Sequence, residues 1–477
     1  MARFSTHFNL GKTQPELDFV DVSLDEDLPL FVDPFAISRR HEPWSRDAHA
    51  CLVSFFQEVV DRIRAGNRDR ALALLGYLRE PNETRLGLSS GRPKGAGIGA
   101  HQAVLLYEAL SQSQAVQTGF LTSLEECELM IEGIGRDKIS DLTTNIIRRH
   151  LALYTKNQCE LLGVPIRMAA VGPQYHPDQH QWINDYLEVP VVDGRPILLV
   201  PKVIARCEPA YDHRDYYRHF ALEYLQAEHI NAGSSLVHAL RDGTPRVYVK
   251  DLKREYPCSK QFLFEFSRDH PEVLQEYRDY LTHMEERGIG DAVGQVDEAN
   301  IARVLKVALR SIPAGAEGAD AYHRAMIGIL EFVFFPLLLS PFKEQEIHEG
   351  RKRIDIVMEN GATTGIFHRL HDVRHIPCAY IVIECKNYTR EIANPELDQI
   401  AGRFSPERGK VGLLCCRTFD ARELFVRRCQ DTFGDDRGLI LSIDDATVLS
   451  WLDLIEAGDR SLLDTSLSRL VNEVCLG

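Results

Sequence analysis

The eleven cysteines of this 477-residue chain form no CxxC pair and follow no regular spacing. That excludes a secreted disulfide scaffold, and they read as reduced, mostly buried thiols of a cytosolic protein. The first residues, Met1-Ala-Arg-Phe-Ser-Thr-His, lack the apolar core of a signal peptide. A clear membrane span is missing too. Ala325 to Phe342 comes nearest, but it barely reaches spanning length and contains Glu331, Pro336 and Pro341. It reads as a buried core helix, so the expectation is a soluble, cytoplasmic protein without a membrane partner. Repeats and low-complexity tracts are absent. So is any excess of basic residues: the net charge is −15. Residues 321–477 hold 19 Lys and Arg against 24 Asp and Glu, a balance of −5, and the remainder carries −10. Neither part is a basic nucleic-acid module, so any contact with nucleic acid must come from a local cation patch.

What is present is enough apolar material, 44% of residues, to fill the cores of two or three domains. From Glu16 to Ile37 apolar and acidic residues alternate, with Asp18, Asp21, Asp25, Asp27 and Asp33 among them. This spacing matches no EF-hand loop, and solvated strand faces account for it better than a metal site. Leu52, Phe55, Phe56, Val59, Val60 and Ile63 recur at helical spacing. Gly87 to Gly99 holds five glycines with Arg92 and Lys94, ahead of a helical pattern from Ala103 to Leu110. Such a loop could offer backbone N–H groups to a phosphate. No GK[ST] follows and no clear strand precedes it, so a surface loop is the preferred reading. Ser140 is placed to cap a charged surface helix carrying Leu142, Ile146 and Ile147 on one face. Pro196–Pro201 reads as a short buried strand, with helical patterns from Tyr216 to Leu225 and Gln261 to Arg287. Glycine-rich breaks at 288–294 and 313–318 precede the last third. The boundary is set at the second, giving a mainly helical α+β region over 1–317 and an α/β/α domain over 318–477.

The last third is organised around Tyr380 to Lys386, an apolar, β-branched run ending in Glu384-Cys385-Lys386. At a period of two, Glu384 and Lys386 share one face while Ile383 and Cys385 share the other. A second β-type run, Arg353 to Val357, holds Asp355. An acid and a lysine at the end of a buried strand are costly unless something pairs with them. A divalent cation shared by Asp355 and Glu384 would do so, and carboxylate oxygens suit Mg²⁺. Lys386 could then orient or help deprotonate a water for attack on a phosphodiester.

This D-x(n)-E-x-K arrangement resembles the signature of the PD-(D/E)XK, or restriction-endonuclease-like, nuclease superfamily, over the last third only. The resemblance implies catalytic roles for Asp355, Glu384, Lys386 and Gln399, the last on the following helix. It implies Mg²⁺, with Mn²⁺ as substitute, held by Asp355, Glu384, the helix acid Glu331 and the Cys385 carbonyl. Glu344 or Glu346 could replace Glu331. Ile354 stands where many members have proline, and the wide gap between Asp355 and Glu384 calls for a hairpin excursion. Arg351, Lys352, Arg353 and Arg403 are placed for phosphate contact. The cluster His368, His371, His375 and Cys378 raises a zinc site, but its close spacing favours phosphate contact or exposure. The function implied is a metal-dependent endonuclease acting on DNA, with RNA open, in prokaryotic defence. The N-terminal region would sense an invader or bind a protein partner. A catalytically weak binding module and a structure-selective repair nuclease are the alternatives. Cutting both strands of a duplex implies at least a dimer, for which the face of Phe55, Phe56 and Val59 is a candidate interface.

Overall fold

A computed structural model describes residues 2–87, 99–121, 123–242, 244–283, 289, 297–343 and 356–477. Asp355, Glu344, Glu346, Arg351, Lys352 and Arg353 lie outside the described residues, as does the glycine-rich segment 88–98.

Two apolar cores divide the chain. Leu339 and Leu161 apart, the first gathers residues from Phe4 to Ile289 and the second those from Ala302 to Val474, with a small satellite cluster of Ala152, Val171, Val189 and Leu198 beside the first. The second core begins with helix α1 (Glu298–Ser311), whose Ala302, Leu305 and Leu309 are buried in it. Helix α1 therefore belongs with the C-terminal domain, and the boundary expected at 318 moves to its N-terminal side. Pro313–Gly318 is no linker. The side-chain amide of Asn387 donates to the carbonyls of Pro313 and Gly315 at 2.9 and 2.8 Å, and the Gly315 N–H donates to the Asn387 carbonyl at 2.8 Å. A Cβ at Gly318 would collide with the Pro313 carbonyl, so glycine is needed for this tight return. Limited proteolysis should leave 313–318 intact and make its first cut between the cores N-terminal to Glu298, giving halves that separate only on denaturing gels. A first cut within 313–318 would show that the clamp does not hold.

The C-terminal domain is a five-stranded mixed sheet, β1 (Leu338–Lys343), β2 (Ile356–Asn360), β3 (Tyr380–Lys386), β4 (Val411–Cys416) and β5 (Leu439–Asp444), in that spatial order. Pairs β1–β2 and β2–β3 are antiparallel, whereas β3–β4 and β4–β5 are parallel. Every residue of β4 is buried, as expected of a parallel strand covered on both faces. Helix α2 (Ala319–Phe334) precedes the sheet, and α3 (Asn394–Ala401) and α4 (Arg422–Gly434) make the parallel crossovers. Helices α5 (Asp445–Glu456) and α6 (Leu462–Cys475) close the domain. The apolar run 325–342 is thus a helix and a strand, divided where Pro336 cannot continue the helix. No helix among the described residues is long and apolar enough to cross a membrane. Between β2 and β3 the excursion is helical rather than a hairpin: a short helix (Gly365–His368) leads into a π-helical turn, Arg369–Val373. The polar groups there bond locally, His368 to Asp372 at 2.8 Å and the Cys378 thiol to the Phe367 carbonyl at 3.7 Å.

The N-terminal region is mainly helical, with small two-stranded ladders. Its helix Pro43–Arg64 buries Phe55, Phe56 and Val59 in the first core, so this face is not available to a second copy. The helix expected to be a capped surface element, Arg136–Ile146, is instead mostly buried beyond its first turn. Gly135 precedes it, and the Ser140 hydroxyl accepts the Val32 N–H at 2.8 Å. Residues 197–200 are buried but form no strand. Three of the five N-terminal aspartates are buried acceptors rather than solvated. Asp21 accepts from the Ser5 N–H and hydroxyl, Asp33 caps the helix Pro34–Ser38, and Asp18 accepts the Tyr154 hydroxyl at 2.5 Å.

The two halves meet along β1, the sheet's edge strand. Edge strands invite adventitious pairing unless covered, and here the helix Arg148–Leu162 lies against β1. The strand bulges between Leu339 and Phe342, where Ser340 has a φ of +48° and donates its N–H to Asp18 at 3.1 Å. The Gln158 side chain donates to the Pro341 carbonyl at 2.8 Å, and the Trp44 N–H to Glu359 on β2 at 3.1 Å. Burial pushes the Glu359 carboxyl up to about 8 and raises Glu331 and Asp18 as well. Raised acids hold their proton in the folded state, so their contribution is full below the ordinary value of 4.5 and lost as pH climbs toward 8. Each such group adds a downward slope of at most about 1.4 kcal/mol per pH unit in that window. Urea unfolding should therefore show stability falling from pH 5 to pH 8 (about 1 kcal/mol per unit from Glu359 alone). Glu359→Gln should flatten the slope, and an unchanged slope would contradict the assignment.

Candidate functional site

Strand β3 sits at the centre of the sheet, between an antiparallel and a parallel neighbour. It is the first strand of the parallel set, and clefts for ligands form beyond the carboxyl ends of such strands. Glu384 is buried there at 1% exposure, opposite Leu414, while Lys386 stands opposite Cys416. Both leave the same face of the strand, and they form an ion pair through Glu384 Oε1 and Lys386 Nζ.

Helix α3 completes the arrangement. Pro395 in its first turn fixes the entry, and the Glu396 carboxylate accepts the Ala393 N–H at 3.0 Å. Leu397 and Ile400 bury its inner face. The helix approaches β4 closely because Gly412 has no side chain; a Cβ there would lie 2.7 Å from Ile400 Cδ1. This approach brings Gln399 Oε1 to 3.3 Å from Lys386 Nζ. One turn later the guanidinium of Arg403 lies 3.8 Å from Glu384 Oε2. Glu384, Lys386, Gln399 and Arg403, distant in sequence, thus form one polar cluster at the end of β3.

Cys385 points to the other face, beside Cys415, its register partner on β4, and the two share the apolar core. Only its backbone carbonyl could serve a ligand on the Glu384 side. Asn387, next in the chain, fixes the strand's exit through the clamp on Pro313 and Gly315. Its importance was not read from the sequence; a polar side chain directly after the motif was the available signal.

Glu331 is placed elsewhere than expected. It lies on α2, 1% exposed, with Oε1 3.0 Å from Nζ of Lys202, an N-terminal-region residue. Lys202 Nζ also donates to the Pro15 carbonyl at 3.2 Å and sits 4.1 Å from the Phe335 ring centre. Asp18 and Lys12 are the other charges that act on Glu331. The carboxylate is thus engaged at the junction of the two halves. Among the described residues no group of three or more His, Cys, Asp and Glu converges. The oxygen donors offered at the strand end are one buried carboxylate and backbone carbonyls, a chemistry that fits a hard cation such as Mg²⁺.

A family described as a domain of unknown function, DUF8370, matches residues 9–212. The match takes in Asp18, Tyr154 and Lys202 at the junction, covers less than half of the chain, and stops short of the sheet. No curated protein matches the chain, and no solved structure does.

Proposed function

We propose that the C-terminal domain is a metal-dependent nuclease of the PD-(D/E)XK kind, hydrolysing phosphodiester bonds of DNA. The observation that carries this reading is the shared face of Glu384 and Lys386 at the end of the central strand, with Gln399 from the next helix hydrogen-bonded to the lysine. Asp355 precedes Ile356, which pairs with Ile383, and Ile383 precedes Glu384.

In this reading Mg²⁺, or Mn²⁺ in its place, would be held by Asp355, Glu384 and the Cys385 carbonyl, and would supply Lewis-acid stabilisation of charge on the phosphoryl oxygens. The chain's own residues do the rest. Lys386, three-donor and held by Gln399, positions a water for attack on phosphorus. The water gives up a proton as its oxygen bonds to phosphorus, one ester P–O bond breaks, and the departing alkoxide takes up a proton from solvent, so protons balance. Arg403 would contact the scissile phosphate from beside Glu384. Glu331 has no part in this step; it ties the domain to the N-terminal region. The support is one of constellation and topology: helix α2 before the sheet, the E-x-K strand at its centre and the glutamine on the helix that follows.

Purified protein assayed on plasmid, linear duplex, single-stranded DNA and RNA, each with Mg²⁺, Mn²⁺ or EDTA, tests the reading. DNA cleavage with the metals and none with EDTA is expected. Binding without cleavage under every condition would favour the catalytically weak module. Preference for branched over linear DNA would favour a repair nuclease.

A further inference from the structure

The chain is acidic, yet one concave surface of the N-terminal region gathers cations that have no acid to answer them. It is built by a helix that changes pitch. An α-helical turn, His213–Tyr216, passes through a π-helical turn, Tyr217–Ala221, into the α-helix Leu222–Ala232. Such π turns recur at functional sites. Arg214 and Arg218, four residues apart and exposed, stand on one side of it. The helix Val249–Glu255 packs alongside and adds Lys253. The Tyr217 hydroxyl donates to the Tyr256 carbonyl at 2.6 Å, and the Gln226 side chain to the Val247 carbonyl at 2.6 Å, holding the two elements together. Arg214, Arg218 and Lys253 then line an open cleft of about 300 Å³ with Tyr217, Pro257 and Cys258.

Four nearby acids are committed elsewhere, and Asp215 and Glu255, exposed close by in the chain, form no ion pair with these cations among the described residues. Asp212 caps the helix through the Arg214 and Asp215 N–H groups and pairs with Arg136 at 3.4 Å. Glu132 accepts the Lys260 N–H at 3.0 Å, and Glu128 holds His213 at 2.8 Å. Asp251 faces His238 and Arg254 at 3.5 and 3.9 Å. Among the described residues Arg214, Arg218 and Lys253 form no ion pair. Beyond the cleft the cations continue on the helix Val249–Glu255 and the strand Pro245–Val247 that leads into it: Lys250 and Arg246 lie 5.5 and 5.4 Å from the ring centre of Tyr248. A single inorganic anion would satisfy the cleft but not this extended strip. A polymer with regularly spaced phosphates would satisfy both, and tyrosines among cations suit nucleic acid.

We propose that the surface of Arg214, Arg218 and Lys253, continued by Arg246, Tyr248 and Lys250, grips the phosphodiester backbone of the nucleic acid on which the C-terminal domain acts. The proposal rests on the nuclease reading for its partner, but not for its test. Cys258 supplies a native reporter, because it is the one exposed cysteine of the eleven and lines the cleft.

The full-length protein is titrated in EDTA against a fluorescent duplex and a fluorescent single strand of DNA, following anisotropy across a range of salt. Arg214→Glu/Arg218→Glu/Lys253→Glu should bind the better probe on the order of 10- to 100-fold more weakly. The slope of log affinity against log salt should be smaller by about 2 to 3. Saturating DNA should slow alkylation of Cys258 by N-ethylmaleimide, read by mass spectrometry, in the unaltered chain only. If the charge-reversed chain does not fold, the triple glutamine variant decides. Unchanged affinity and salt slope in the variant, undiminished alkylation of Cys258, or equal competition by polyglutamate each overturns the proposal. The nuclease reading fails separately, when the unaltered chain binds DNA in EDTA but cleaves nothing with Mg²⁺ or Mn²⁺.

Discussion

Glu384→Gln is expected to abolish cleavage while leaving the fold in place. The substitution keeps the volume and one carbonyl oxygen but removes the charge that Lys386 and Arg403 answer. In the proposed chemistry it also removes one of two carboxylates available to a hard cation. Such electrostatic stabilisation amounts to several kcal/mol, which at 1.36 kcal/mol per decade is a loss of about a thousandfold or more. The structural cost is smaller. The side chains of Lys386 and Arg403 retain 11% and 12% exposure, so both can turn toward water. A thermal midpoint within a few degrees of the parent is expected, together with cleavage at background in a Mg²⁺ plasmid assay. Full activity in this variant would remove Glu384 from the site and the nuclease reading with it.

Lys202→Met should do the reverse, destabilising the whole molecule through a contact remote from the chemistry. Lys202 is the cation closest to Glu331, and both side chains are at least 95% buried, at 5% and 1% exposure. Removing one partner of a buried ion pair strands the other and costs about 3–5 kcal/mol; burial raises the Glu331 carboxyl to about 8, so the loss is expected to grow as pH rises toward and past that value and to be smaller below it, where Glu331 takes up a proton. Asp18 adds a second acid that Lys202 helps to hold. Urea unfolding should record this loss, and Lys202→Met/Glu331→Gln should recover much of it, because the stranded charge is then gone. The same pair of variants separates two roles for Glu331. As a junction residue, Glu331→Gln alone changes stability and leaves cleavage nearly intact. As a metal-holding acid it would cut cleavage as deeply as Glu384→Gln at unchanged stability.

The legibility of this chain followed from where information is local. Strand β3 was visible from end to end because a β-branched apolar run closed by charged residues has few other readings. Gln399 was nameable only through the family resemblance; the structure places it beside Lys386, and Arg403 beside Glu384. The ion pair of Glu331 went unread because its partner, Lys202, sits in a different domain and no local pattern announces it. Ser140 resembled a helix cap because a hydroxyl before an apolar face usually is one. The helix instead starts at Arg136, and the hydroxyl serves the backbone of a strand residue, Val32. The run 325–342 was read as one helix because hydrophobic periodicity does not separate a buried helix from a buried strand. Helix α6 was within reach of the same periodicity, through Leu463, Leu467, Leu470, Val471 and Val474, and went unread.

The two cores exchange a residue each: Leu339 of β1 is counted among the N-terminal side chains, and Leu161 of the helix Arg148–Leu162 among those of the sheet domain. Each half therefore carries a plug for the other and an open socket of its own. Neither can be grafted onto a foreign scaffold as a finished module, since the graft would arrive with a leucine-sized void and a stray leucine beside it. For shuffling by recombination, the junction behaves as a lock whose two parts must be inherited together.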